Sequence, residues 1–289
     1  MRAIRRALEG RDFKNMDEAN AFLEALSITG FKEFPEKPLS PQDQAQEIAW
    51  QAMEASSRRQ ALTLAKQALA IDPDCTDALV VLAKAKSHSA EELIEGLERA
   101  VAAGERSLGA QYFEENRGHF WGLIETRPYM RARCDLANLL LDNGQMDKAV
   151  VHFEAMIDLN ASDNQGLRYT LLGCYLSEDN LSAARRLLRQ YKENVSAFFN
   201  WGRTLEQILS GDFDGAEKAL KQARASNQFV ELYLTGKKKL PQSLPDSYSL
   251  GSEDEAVICM DILGKAWAGH PGALIWLLRQ IRSDASKEK

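Results

Sequence analysis

No apolar run in the chain approaches the roughly 20 residues that a bilayer-spanning helix needs, so no transmembrane segment is expected. The first residues, Met1 to Leu8, carry positive charge but neither an apolar core nor a small-residue cleavage site, and no secretory leader is predicted. Cysteine is scarce. Cys75, Cys134, Cys174 and Cys259 lie far apart without a CxxC pair, which predicts four reduced, mostly buried thiols and a cytoplasmic location. His88, His119, His152 and His270 are scattered, with no HExxH and no two on one helical turn, so no metal site is expected. A GxSxG elbow, a P-loop and a GxGxxG loop are also missing, and no two carboxylates stand out as an acid and a base. No catalytic residue and no cofactor are therefore predicted. A basic excess is lacking as well: 36 Lys and Arg face 42 Asp and Glu, a net charge of −6. A chain that neutralises nucleic-acid phosphates or anionic lipid needs the opposite balance.

What the 289 residues do contain is an ordinary apolar fraction, 45%, enough to bury a continuous core, arranged with helical periodicity and internal repetition. The clearest unit runs from Pro128 to about Ser162. Its first helix carries Leu136, Ala137, Leu139 and Leu140. A turn follows at Asn143-Gly144, and a second helix carries Ala149, Phe153 and Met156. Small residues at Ala137 and Ala149 let two helices touch, Gly144 makes the turn, and Phe153 follows the packing alanine by four residues. This pattern resembles the tetratricopeptide repeat (TPR) family, with Ala161 where that family usually has proline. Ser162 and Gln165 have the spacing of a capping box for the next helix.

Four further hairpins fit the same template. In Ser40–Pro73, Ser40 is the expected N-cap, Pro41 takes the first helical position, and Ala45, Ala49, Ala52, Ala61, Ala65 and Ala68 line the contact. In Thr76–Gly104, Ser89 and Glu92 form a capping box. Gly166–Tyr191 turns at Asp179-Asn180 and packs through Ala184 and Leu188, and Ser196–Ala225 turns at Gly211 and packs through Ala216, Leu220 and Ala223. The packing alanines Ala149, Ala184 and Ala216 are 35 and 32 residues apart, close to the TPR period of about 34. The expected fold is all-α: a right-handed α-solenoid of about five TPR-like hairpins over residues 39–230.

Residues 1–38 form an expected preface, a short helix with Asn15 and Glu18 at its start and Ala19, Phe22, Leu23 and Leu26 on its apolar face, then a proline-limited linker from Phe31 to Pro38. Residues 231–289 are the expected helical cap of the last hairpin. Lys237, Lys238 and Lys239 form a solvated basic turn, Ser252 and Glu255 cap a helix, and Pro271 opens another bearing Leu274, Ile275, Leu277 and Leu278.

The stretch 118–133, within and following an insertion at 105–127, is the least generic, with His119, Trp121, Glu125, Arg127 and Tyr129 as a secondary candidate surface. It resembles a segment of TPR proteins from bacteria, a group distantly similar to the suppressor-of-tumorigenicity-seven family. That resemblance extends over most of the chain and implies no chemistry.

Stacked hairpins curve, and their first helices line an inner groove suited to a peptide or a partner helix. Arg131, Cys134 and Asn138 fall at groove-facing positions of the Pro128 hairpin. Arg168, Tyr169 and Trp201 follow on the next two. Asn138 stands where chaperone-binding TPRs hold a peptide backbone, but Cys134 and Asp135 replace the Lys and second Asn of that clamp. Tyr, Trp and Arg are residue types enriched at binding hot spots. The expected role is a non-catalytic scaffold for a protein or peptide partner. Self-association is the first alternative, and single-stranded RNA binding, opposed by the acidic balance, the second. An enzymatic role centred on His119 and Glu125 comes last.

Overall fold

The structure, a computed structural model, describes residues 39–287 together with Glu18, Ala21, Phe22, Glu24 and Ala25. Those five isolated positions are helical. The expected caps and apolar face at Asn15, Ala19, Leu23 and Leu26, and the linker Phe31–Pro38, lie outside the described residues.

Ser40 starts the first helix, α1 (Pro41–Met53): its hydroxyl accepts from the Asp43 N–H at 3.1 Å, and Pro41 sits where its missing N–H costs nothing. Ser57 caps α2 (Arg58–Ile71) in the same way. A second hairpin is α3 (Thr76–Lys86) with α4 (Ala90–Leu108). Ser89 accepts from Glu92 N–H at 3.2 Å, while the Glu92 carboxylate accepts from His88 N–H at 2.8 Å, a capping box displaced by one residue. The short α5 (Ala110–Glu115) and two 3₁₀ turns lead into the third hairpin, α6 (Arg127–Asp142) and α7 (Met146–Leu159). Two more follow: α8 (Leu167–Ser177) with α9 (Leu181–Gln190), and α10 (Ala197–Leu209) with α11 (Phe213–Ser226). The chain then forms α12 (Phe229–Leu234), a long exposed loop, α13 (Glu253–Gly269) and α14 (Pro271–Lys287). The described residues are all-α, and the fold is a helical-repeat solenoid.

The repeat turns use left-handed backbone. Gly144 and Gly211 have φ of 73° and 74°, and between them Asp179, at 54°, takes the conformation without being glycine. The helix after Asn160 starts differently from the expectation. Asp163, itself left-handed at φ 47°, accepts from the N–H groups of Leu167 and Arg168 at 2.8 and 2.9 Å, so Asp163 rather than Ser162 caps α8. The sharp turn at Asn160–Asp163 aims the buried carboxylate at the exposed helix end and leaves Ser162 facing solvent.

Each hairpin packs along its length, and the second helix of one meets the first helix of the next. First helices also approach one another directly, α1 with α3, α3 with α6, and α8 with α10, while second helices do not come as close. The first-helix side is therefore the short, concave side of the stack. Ala45, Ala49, Ala65 and Ala68 are wholly buried in the first hairpin, and Ala137, Ala149 and Phe153 in the third, as the spacing predicted. The region 105–127 folds in beside α6: Phe120 is wholly buried against Phe113 and Tyr129, and the Thr126 hydroxyl donates to the carbonyls of Phe120 and Leu123.

The C-terminal part does more than continue the stack. Helix α13 packs against α8 and α10, both first helices, and so lies along the inner side of the last two hairpins. Glu255, buried at its start, accepts from Ala197 N–H at 2.9 Å, Asn227 Nδ2 at 3.0 Å and Gly251 N–H at 2.7 Å. Helix α14 buries Ala273 and Leu277 and leaves Ile275 and Leu278 exposed. Among the described residues no helix is long and apolar enough to cross a membrane.

Candidate interaction groove

The inner face divides into two halves. Along α1, α3 and α6 it carries a polar ladder that steps from one hairpin to the next. Gln46 Nε2 on α1 donates to Asp77 Oδ2 on α3 at 2.7 Å, and Arg131 Nη2 on α6 donates to the same oxygen at 2.5 Å. Asp77 is 3% exposed, so its charge is neutralised by Arg131 in a region of low dielectric. Towards the other end of these helices, Lys84 pairs with Asp135 at 2.7 Å in a more exposed setting. Asn138 is exposed one turn beyond Cys134 and its amide approaches the Cys134 sulfur at 3.5 Å. Burial pushes the Cys134 thiol up to about 11, so it is a neutral, weakly reactive group. Arg131, Cys134 and Asn138 are thus together on α6, with Asp77, Lys84 and Asp135 beside them.

The other half is closed by the chain's own α13. Gly173 on α8 is so near this helix that an added Cβ would stand 2.6 Å from the Ile262 carbonyl oxygen. Trp201 on α10 is wholly buried, edge-on to Trp267 of α13 with ring centroids 6.2 Å apart, and its indole N–H donates to the Asn227 carbonyl at 3.1 Å. No partner reaches Trp201 while α13 is in place. At the far end His270 Nε2 lies 2.9 Å from Asp179 Oδ1, tying the end of α13 to the turn after α8. Burial of side chains such as Leu263 and Trp267, worth about 1.5–3 kcal/mol each, holds α13 in this seat.

Arg168 and Tyr169 stand at the rim between the halves. Arg168 is committed internally: its guanidinium meets Asp163 Oδ2 at 2.9 Å, donates to the Tyr169 hydroxyl at 2.9 Å, and lies over the rings of Tyr169 and Tyr191 at 4.5 and 5.3 Å. Tyr169 stacks on Phe198 with centroids 4.5 Å apart and accepts from Asn194 Nδ2. These contacts fasten the third hairpin's exit to the fourth and fifth. The six groove candidates therefore do not form one surface: three line the half that α13 does not cover, two staple the junction, and one lies under α13.

The secondary candidates are spread out. Tyr129 is buried, with Arg133 as a donor to its hydroxyl. Trp121 and Arg127 pair with each other, the guanidinium carbon 5.5 Å from the ring centroid and Nε donating to the Trp121 carbonyl at 3.1 Å. Glu125 accepts from the Tyr112 hydroxyl at 3.1 Å, and exposed His119 makes a backbone bridge to Asn160. No His119–Glu125 pair forms. No group of three or more His, Cys, Asp or Glu able to hold a metal occurs among the described residues.

Residues 130–196, which cover most of α6 and all of α7, α8 and α9, match the tetratricopeptide repeat family model. Over that segment the chain is similar to tetratricopeptide repeats. TPR-like repeats of a protein assigned as a kinesin light chain from Podosopora anserina are similar in structure. The match has 19% identity, covers 64% of this chain and 95% of that one, and has a TM-score of 0.41. A variant form of the same repeats matches with 18% identity over 65% and 96%, at a TM-score of 0.40. No curated protein matches the chain. TPR units generally serve as protein–protein interaction modules.

Sequence reasoning missed Asp77, Gln46 and Asp163. Gln46, Asp77 and Arg131 stand on three successive first helices, each next to a wholly buried alanine: Ala45, Ala78 and Ala132. Gln46 follows its alanine while Asp77 and Arg131 precede theirs, so aligning the helices on the alanines does not bring the ladder into register.

Proposed function

We propose that the chain is a non-catalytic protein-interaction scaffold and that its partner, a peptide or a helix, docks on the inner face of α1, α3 and α6, beside the half that α13 covers. The observation that supports this most is the helix α13 itself. A helix lying along α8 and α10 is what a concave TPR-like face accepts, and here that half is already filled from within the chain. The half beside it keeps Asn138, Cys134, Lys84 and Asp135 within reach of solvent. Fixed charges there favour a polar, backbone-contacting ligand over a purely apolar one. A cytoplasmic location and kinship with bacterial repeat proteins similar to the suppressor-of-tumorigenicity-seven family belong to the same reading.

The test is affinity capture from lysate of the native organism with three baits: wild type, Asn138→Arg on α6, and Val151→Arg on the second helix α7. Val151 is 60% exposed, so its variant controls for added surface charge. A protein retained by wild type and Val151→Arg but lost with Asn138→Arg supports the groove. Equal retention by all three contradicts it.

A further inference from the structure

We propose that His270 is a proton-operated clasp: with both ring nitrogens protonated it ties the end of α13 to Asp179, and loss of one proton loosens that end of the cap. His270 Nδ1 lies 2.6 Å from the Ala266 carbonyl oxygen, and Nε2 lies 2.9 Å from Asp179 Oδ1. A carbonyl and an ionised carboxylate can only accept. A neutral imidazole has one N–H and would set a lone pair against one of these oxygens. The imidazolium donates to both.

The partner position carries an independent mark. Three hairpins turn in the same way: the N–H groups of Gln145, Asn180 and Asp212 donate to the carbonyls of Leu140, Tyr175 and Gln207. The left-handed residue before each of these donors is Gly144, Asp179 and Gly211 in turn. Glycine takes that backbone freely, whereas a residue with a Cβ is strained in it. Asp179 is therefore the costlier residue for the turn, and its carboxylate meets a ring 91 residues further along the chain.

The charged groups on the elements that meet at His270 are Glu178 and Asp179 on the turn, and Asp261 and Lys265 on α13. Residues 271–278 of α14 carry none. Glu178 and Lys265, of opposite sign, both lie near Cys174. Asp179 is the one in hydrogen-bond contact with the ring, and because its side chain is 71% exposed the pair has the modest strength of a surface ion pair. The buried seat of Leu263 and Trp267 does not titrate. The clasp therefore governs the last turn of α13 and the corner into α14, where the Ala273 N–H donates to the His270 carbonyl at 2.9 Å, rather than the whole cap. It is fastened on the acidic side and released as pH rises and the ring gives up a proton.

The experiment records the ring N–H signals of the full chain by NMR at about pH 5.5 and about pH 8, the range over which histidine changes charge. His270 is assigned through His270→Gln, and hydrogen exchange of residues 263–270 is followed in parallel as protection factors. At the lower pH both ring N–H protons of His270 are expected to be visible and shielded from solvent; at the higher pH one of them is gone. Protection of 263–270 is expected to fall about 3-fold between the two conditions, the scale of an exposed ion pair, and to change much less in Asp179→Asn, which tolerates the turn but lacks the charge. Asp179→Gly separates the clasp from the turn. It relieves the backbone, so a purely turn-forming role gives equal or higher protection, whereas the clasp gives lower protection at the acidic condition. A single ring N–H on His270 at both conditions, the wild-type pH response retained in Asp179→Asn, or undiminished protection in Asp179→Gly overturns the clasp.

Discussion

Asp77 receives hydrogen bonds from two other repeats while almost wholly buried, from Gln46 on α1 and from Arg131 on α6. Removing its carboxylate strands both donors. Asp77→Ala is expected to cost about 1–3 kcal/mol, read as a lowered midpoint in urea unfolding, with Gln46→Ala costing less because it removes a neutral donor. His152 makes a pH-dependent contribution. Its folded pKa lies below the unfolded value, so the unfolded state takes up the proton first and stability falls as pH drops below about 6.5. Thermal unfolding across that range should show a shallower decline for His152→Gln than for wild type. Local rules were readable at this scale: Ser40, Ser89 and Ser252 cap the helices they precede, because a cap depends on three or four adjacent residues. Asp163 was not readable as a cap, because its role depends on a left-handed turn that its neighbours do not announce.

At the scale of the helices, the hairpins were legible because Ala137, Gly144, Ala149 and Phe153 act within one supersecondary unit. Helix α13 was legible as a helix but not in its position. Its seat on α8 and α10 joins residues some 60 to 90 apart in sequence, such as Trp201 with Trp267 and Asp179 with His270. Trp201 looked like a binding anchor for a sound reason: an aromatic at an inner-face position calls for an apolar occupant. That the occupant is the chain's own Trp267 does not follow from local pattern. Gly173 marks the seat most sharply. Gly173→Ala places a methyl group against the Ile262 backbone and should force α13 outward, at a cost of about 1–3 kcal/mol. Hydrogen exchange is the suitable readout: amides of 253–269 should lose protection while those of α1 to α4 keep theirs. Uniform loss across the chain would show that the contact does not act on α13 alone.

For the whole molecule, a stack of hairpins joined through nearest neighbours has an inner face as long as the stack, and α13 covers part of it. The part under α13 serves stability, with Trp201, Trp267, Cys259 and Leu263 buried as a repeat core would be. The part along α1, α3 and α6 presents charged and polar groups on a rigid curved support, and binding there requires no rearrangement of the cap. The most direct measurement is photo-crosslinking in native lysate with a photoreactive amino acid at Asn138, compared with one at Val151 on the outer helix α7. The account predicts a discrete adduct from position 138 and none from position 151. Adducts from position 151 alone, or the same adduct from both, would contradict an inner-face scaffold.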